Sequence, residues 1–282
     1  MDAALIVVNG LAVACLVLAW VYFRRYQINR PPLGAFNRTD VIVMLVALVT
    51  MPYLYLVLPA WAAASFLALG MLSVSSTALQ PVVTRRALRW LIIAGLLTAD
   101  VVLAVTEGAA SAQFLAVNNA VLVVVVVGTA TLWAQGGMKA KDLGFLAAGI
   151  TIYDFFATTQ ASVMAEIAQR LSAIPFVPFI SWGPPSRPLA LGLGDLLVAA
   201  VFPLVMRKAY GRSAGRVALG TSATAVVGML TALYLIDTTT LVPAMVVLGP
   251  LVIAQIAYWS RKRDAERTTW EYLRDEPLPA AA

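Results

Sequence analysis

The feature that most constrains this chain is a succession of apolar runs, each near twenty residues long. At about 1.5 Å of rise per helical residue, a run of that length matches the ~30 Å hydrocarbon core of a bilayer. Backbone amides in lipid must find their partners within the segment, so such runs are helices. The residue balance agrees. Of the 282 residues, 61% are hydrophobic and 12% charged, which leaves too few polar groups to coat a soluble globule. The expected class is an all-α membrane protein.

The pattern predicts nine transmembrane helices. The first covers about Ala3 to Phe23, and without a basic n-region or a small-residue cleavage site it reads as a retained helix, not a signal peptide. The second, Val41 to Leu58, contains Pro52, and Pro59 turns the chain into the third, Ala60 to Gln80. Helices four and five lie near Trp90 to Thr106 and Ala112 to Ala134; the sixth begins near Leu143 and continues to about Leu171. A connection carrying Pro175, Pro178, Pro184, Pro185 and Pro188 follows, too proline-rich for regular helix. Helices seven to nine cover Leu189 to Arg207, Gly215 to Ile236 and Leu241 to Trp259. The chain thus divides into a five-helix membrane bundle over 1–134, helices six to nine over 135–260, and a cytoplasmic tail over 261–282.

Basic residues set the orientation. With the N-terminus outside, the cytoplasmic loops and tail hold the clusters Arg24 to Arg38, Arg85 to Arg89, Lys139 to Lys141, Arg207 to Arg216 and Arg261 to Arg274. Of the 20 Lys and Arg residues, all but Arg170 and Arg187 then fall inside. The positive-inside rule therefore favours nine spans, N-out and C-in, and the Ala- and Val-rich composition with no retention signal in the tail points to a cell membrane.

Composition also removes whole chemistries. Histidine is absent, which excludes Ser-His and Cys-His nucleophiles and HExxH zinc sites. The single cysteine, Cys15, permits no intrachain disulfide. No metal and no cofactor is expected, and no nucleic-acid partner, since the net charge of +6 is explained by its distribution across the membrane.

Three carboxylates fall within the spans: Asp100, Asp154 and Asp195. An ionisable group at membrane depth costs roughly 2.5–3.5 kcal/mol on insertion scales, so it marks a bundle interior, a wet cavity or a partner. Asp154 lies twelve residues past Asp142, and Asp195 twelve before Arg207. Each is therefore about 18 Å from the cytoplasmic boundary. Helices six and seven are consecutive and antiparallel, so the two acids meet at one level. Two carboxyls that close share one proton and titrate as a unit, the arrangement by which an aspartyl pair activates water against a peptide carbonyl. Asp154, Thr158, Ser162 and Glu166 recur every four residues, a polar stripe suited to a wet path. Ala157, Ala161 and Ala165 form a small-residue stripe beside it. Asp100 is expected to bond Asn118 or Asn119 of helix five or to assist proton entry.

These residues resemble the intramembrane aspartyl proteases of the presenilin and signal peptide peptidase group. Tyr153-Asp154, Gly192-Leu193-Gly194-Asp195 and Pro243-Ala244-Met245 look like that family's YD, GxGD and PAL motifs, in the same order. The likeness runs from about Phe145 to Ile253; the first five helices match in number and hydrophobicity. Met245 stands where the family has Leu, and Val242 where signal peptide peptidases have Gln. The resemblance implies a presenilin-like helical bundle in which Asp154 and Asp195 are catalytic, and Pro243, Ala244 and Met245 shape the site and hold substrate. It places Tyr153 and Gly192, Leu193 and Gly194 beside the acids, with transmembrane segments or remnant signal peptides as substrates. The N-out topology resembles signal peptide peptidases and implies type II substrate helices. The oligomeric state is not legible in the sequence. Two other readings stay open. A proton- or ion-coupled transporter also carries buried acids and Pro-broken helices, although no inverted duplication is visible here. A prepilin-peptidase-like enzyme shares GxGD, although its usual CxxC loops are missing.

Overall fold

The computed structural model describes residues 3–28, 36, 38–159, 166–167, 169–172, 174–184, 189–236, 244–263 and 265–275. In chain order these form α1 (Ala3–Arg25), α2 (Arg38–Val57), α3 (Ala60–Ala78), α4 (Arg86–Thr106), α5 (Ala112–Gln135) and α6 (Ala140–Thr159). There follow a hairpin of β1 (Phe179–Trp182) and β2 (Leu189–Gly192), then α7 (Leu193–Tyr210), α8 (Arg212–Ile236), α9 (Met245–Lys262) and the short α10 (Thr269–Asp275).

Six of these helices, α1 to α5 and α8, are long and apolar enough to cross a membrane. The three other long helices fall outside that set. Asp195, Arg207 and Lys208 lie within α7, Lys141, Asp142 and Asp154 within α6, and α9 ends on Arg261 and Lys262. Protein, not lipid, surrounds α7. All its residues from Val198 to Tyr210 are buried, and α1, α5, α6, α8 and α9 pack around it. A helix that is apolar on every side belongs at the centre. At the periphery the logic inverts. Only Val41 of α2 and only Ile93 and Asp100 of α4 are buried, while Val57 is 82% exposed, Val105 78% and Trp61 74%. Apolar exposure on that scale suits a lipid-facing surface and would drive a soluble protein to associate.

The start of the seventh span differs from expectation. Leu189 to Gly192 is not helix but strand, paired antiparallel with Phe179 to Trp182 in the register Phe179↔Gly192 and Trp182↔Leu189. A four-residue apolar run reads equally well as strand or helix start. Side chains from α5 decide it here. Asn119 brackets Ser181 as a neighbouring strand would, accepting from its N–H at 3.1 Å and donating to its carbonyl at 2.9 Å. Asn118 donates to the Val177 carbonyl at 3.1 Å.

Asp100 also departs from expectation. Its Oδ1 accepts from the Phe176 backbone N–H at 2.9 Å, and no hydrogen bond to Asn118 or Asn119 is found among the described residues. All three polar side chains instead grip one backbone segment, 176–181. Phe176 sits at φ 64°, a conformation that strains a bulky residue, and the buried carboxylate secures its amide. The expected continuation of α6 toward Leu171 passes through 160–165 and 168, outside the described residues.

Candidate active site

Asp195 is the third residue of α7. Gly192 caps that helix in extended conformation, and the Leu193 amide donates to the Pro178 carbonyl at 2.9 Å. The helix start is thereby tied to the mouth of the hairpin. The carboxylate stands in the first turn, where the positive end of the helix dipole favours an anion. A side-chain carbon at Gly192 would touch Asp195 Oδ2 at 3.4 Å, so glycine there keeps the approach open. Gly194 and Leu193 continue the turn and are partly buried.

Asp154 comes from the last third of the neighbouring helix α6. It lies within the electrostatic field of Asp195, so the two carboxylates repel when both are ionised. Both also meet one short segment: the backbone amide of Met245 approaches Asp154, and that of Ala244 approaches Asp195. Two acids on α6 and α7 and two successive amides at the start of α9 thus converge on one place. Asp154 Oδ2 is buried and accepts no hydrogen bond from a described residue, which leaves it able to bind a reacting group.

Thr151 and Gly249 fix α9 in this position. Thr151 lies one turn before Asp154, and its hydroxyl shares its single hydrogen between the Ala147 carbonyl at 2.7 Å and the Met245 carbonyl at 3.1 Å. A Cβ at Gly249 would stand 1.8 Å from Thr151 Oγ1. The two helices approach this closely only because residue 249 lacks a side chain.

Tyr153 is close enough to Tyr53 of α2 and to the Asp154 carboxyl to feel their charge, and its buried hydroxyl has no hydrogen-bond partner among the described residues. Pro243 lies outside the described residues, as do Ser162, Ala161 and Ala165 of the expected stripes and the side chains of Ala157 and Thr158. Glu166 is exposed. Among the described residues no group of three His, Cys, Asp or Glu side chains could hold a metal ion.

Fold and site together define a class: a helical multi-pass membrane protein with two apposed carboxyl groups at the interface of its central helix and a neighbour. Neither the protein-family models nor the curated proteins compared with the chain match it.

Proposed function

We propose that this protein is an intramembrane aspartyl endopeptidase of the signal peptide peptidase type, acting on transmembrane segments or remnant signal peptides. The observation that carries the reading is the convergence of Asp154, Asp195 and the Ala244 and Met245 amides. In this reading one carboxyl is ionised and takes a proton from water as the water oxygen attacks the peptide carbonyl. The other carboxyl is protonated and gives its proton to the carbonyl oxygen. The tetrahedral diol then collapses, the C–N bond breaks and the amine departs with a proton returned by the dyad. A helical substrate hides its carbonyls in hydrogen bonds, so the scissile segment must unwind where protein groups can satisfy its backbone. The backbone beside Ala244 and Met245 offers such groups.

The topology belongs to the same proposal. Helices α1 to α9 each cross the membrane, N-out and C-in, within a cell membrane, and the substrates are type II helices.

Cleavage of a labelled transmembrane peptide by purified protein in detergent tests the reading. Asp154→Asn and Asp195→Asn should each lower turnover by about 10²–10⁴-fold, the range of general acid and base contributions. Proteolysis that survives both substitutions, or proton flux in vesicles with no proteolysis by the wild type, overturns it.

A further inference from the structure

The tail beyond α9 folds back onto the cytoplasmic ends of the two helices that carry the acids. Glu266 Oε1 accepts from the backbone amide of Ala140 at 2.7 Å, and Ala140 opens α6. The next residue serves α7. Arg267 donates from Nη2 to the Arg207 carbonyl at 2.9 Å and from Nε to the Lys208 carbonyl at 3.1 Å. Its backbone amide donates to the Ala209 carbonyl at 3.1 Å. These carbonyls belong to the last turn of α7, where a helix runs out of amide partners of its own; that of Arg207 also accepts from the Gly211 amide at 3.0 Å. One dipeptide therefore caps the N-terminus of α6 and the C-terminus of α7, each with the charge its dipole favours.

Neighbouring contacts hold the dipeptide there. Lys208 donates to the Met138 carbonyl, just ahead of α6. Tyr272 of α10 is buried and stacks on Phe23 of α1 at 5.4 Å. Arg267 lies 5.7 Å over the Tyr272 ring. Burial raises the Glu266 pKa against the opposing pull of the Ala140 amide, Lys208 and Lys139, with Asp142 adding to the rise.

Between these ends α6 and α7 touch little: α6 packs chiefly on α9, and α7 on α8 and α5. Apart from their shared neighbour α9, what joins them is the dyad region at one end and the tail at the other. About 20 Å of helix separates the two, at about 1.5 Å per residue.

We propose that Glu266 and Arg267 are positioning residues that set the separation of Asp154 and Asp195 by locking α6 to α7 at their far ends. The proposal takes its catalytic meaning from the protease reading, but the geometry can be tested without it. In a full-length Cys15→Ser background, Asp154→Cys and Asp195→Cys are joined by a short bifunctional thiol reagent, and the cross-linking rate is measured in detergent. Glu266→Gln keeps an acceptor for Ala140 and should cross-link at the parent rate. Glu266→Asp withdraws that acceptor by one methylene, and Arg267→Ala removes the α7 cap; each should slow cross-linking at least fivefold. On the native dyad, the same two changes should lower kcat for peptide cleavage with little change in KM. Parent-rate cross-linking in both Glu266→Asp and Arg267→Ala overturns the proposal, as does a parent that does not cross-link. Glu266→Asp keeps the tail charge and so retains a folded reference if Arg267→Ala fails to fold. Slowed cross-linking with no proteolysis by the wild type would sustain the positioning role and reject the protease.

Discussion

A methyl group at Gly249 would have to occupy space already filled by Thr151 Oγ1. Either α9 shifts away from α6, or Thr151 rotates and gives up its bond to the Met245 carbonyl. Overpacking of this kind costs about 1–3 kcal/mol, and here the displaced backbone is the one that meets both acids. Gly249→Ala should therefore lower the thermal midpoint in detergent and depress peptide cleavage more than tenfold. Thr151→Ala added to it clears the collision, so the double variant should be more stable than the sum of the single effects predicts. Strict additivity would show that the two residues do not press on one another. These two residues also mark the limit of what the chain reveals when read in order. Asp154 and Asp195 stand out because a carboxylate in an apolar run is anomalous wherever its partner lies. Thr151 and Gly249 are ordinary residues for a membrane helix, and their importance exists only once α6 and α9 touch across some hundred residues of sequence.

In the β1–β2 hairpin only β2, Leu189 to Gly192, is mistaken for helix by sequence periodicity; β1 falls in the connection read as too proline-rich for regular helix. The hairpin's apolar residues have no alternation to read, and its stability is supplied from elsewhere, by Asn119 and Asn118 of α5 and Asp100 of α4. The signal that was present, buried polar residues in helices four and five, points to a partner without naming it. Apart from the far end of the sixth, which lies outside the described residues, the long helices are legible to within a few residues, because a bilayer constrains both length and apolarity. The hairpin matters to the site because it delivers the chain into Gly192 and the first turn of α7. Asn119→Ala leaves a backbone donor and acceptor of Ser181 without their partners, at roughly 1–3 kcal/mol per stranded group. Hydrogen exchange at residues 179–182 and 189–192 should accelerate in that variant, while the buried C-terminal half of α7 stays protected. Equal protection of the hairpin in both proteins would mean that strand pairing alone holds it.

On the scale of the whole molecule, the question is whether α6, α7 and α9 cross the bilayer with the other six long helices. Length and composition leave these three out when each is taken alone, and the proposed nine crossings rest on their surroundings. Asp154 and Asp195 meet protein groups, and Arg261 and Lys262 lie exposed at the end of α9, where long side chains reach the interface. The buried Arg207 of α7 sits 4.9 Å over the ring of Trp20. Nine crossings and six crossings place the same loops differently. Both put Glu107 outside and Lys141 inside. With nine crossings Ser172 is outside and Arg263 inside; with six, Ser172 is inside and Arg263 outside. All four residues are exposed, and the native Cys15 is buried, so single cysteines at these positions report cleanly. A membrane-impermeant maleimide applied to intact cells should label Glu107→Cys and Ser172→Cys, and should reach Lys141→Cys and Arg263→Cys only after permeabilisation. Labelling of Arg263→Cys in intact cells would put the tail outside, and with it Glu266 and Arg267, and would reverse the charge asymmetry from which the orientation is drawn.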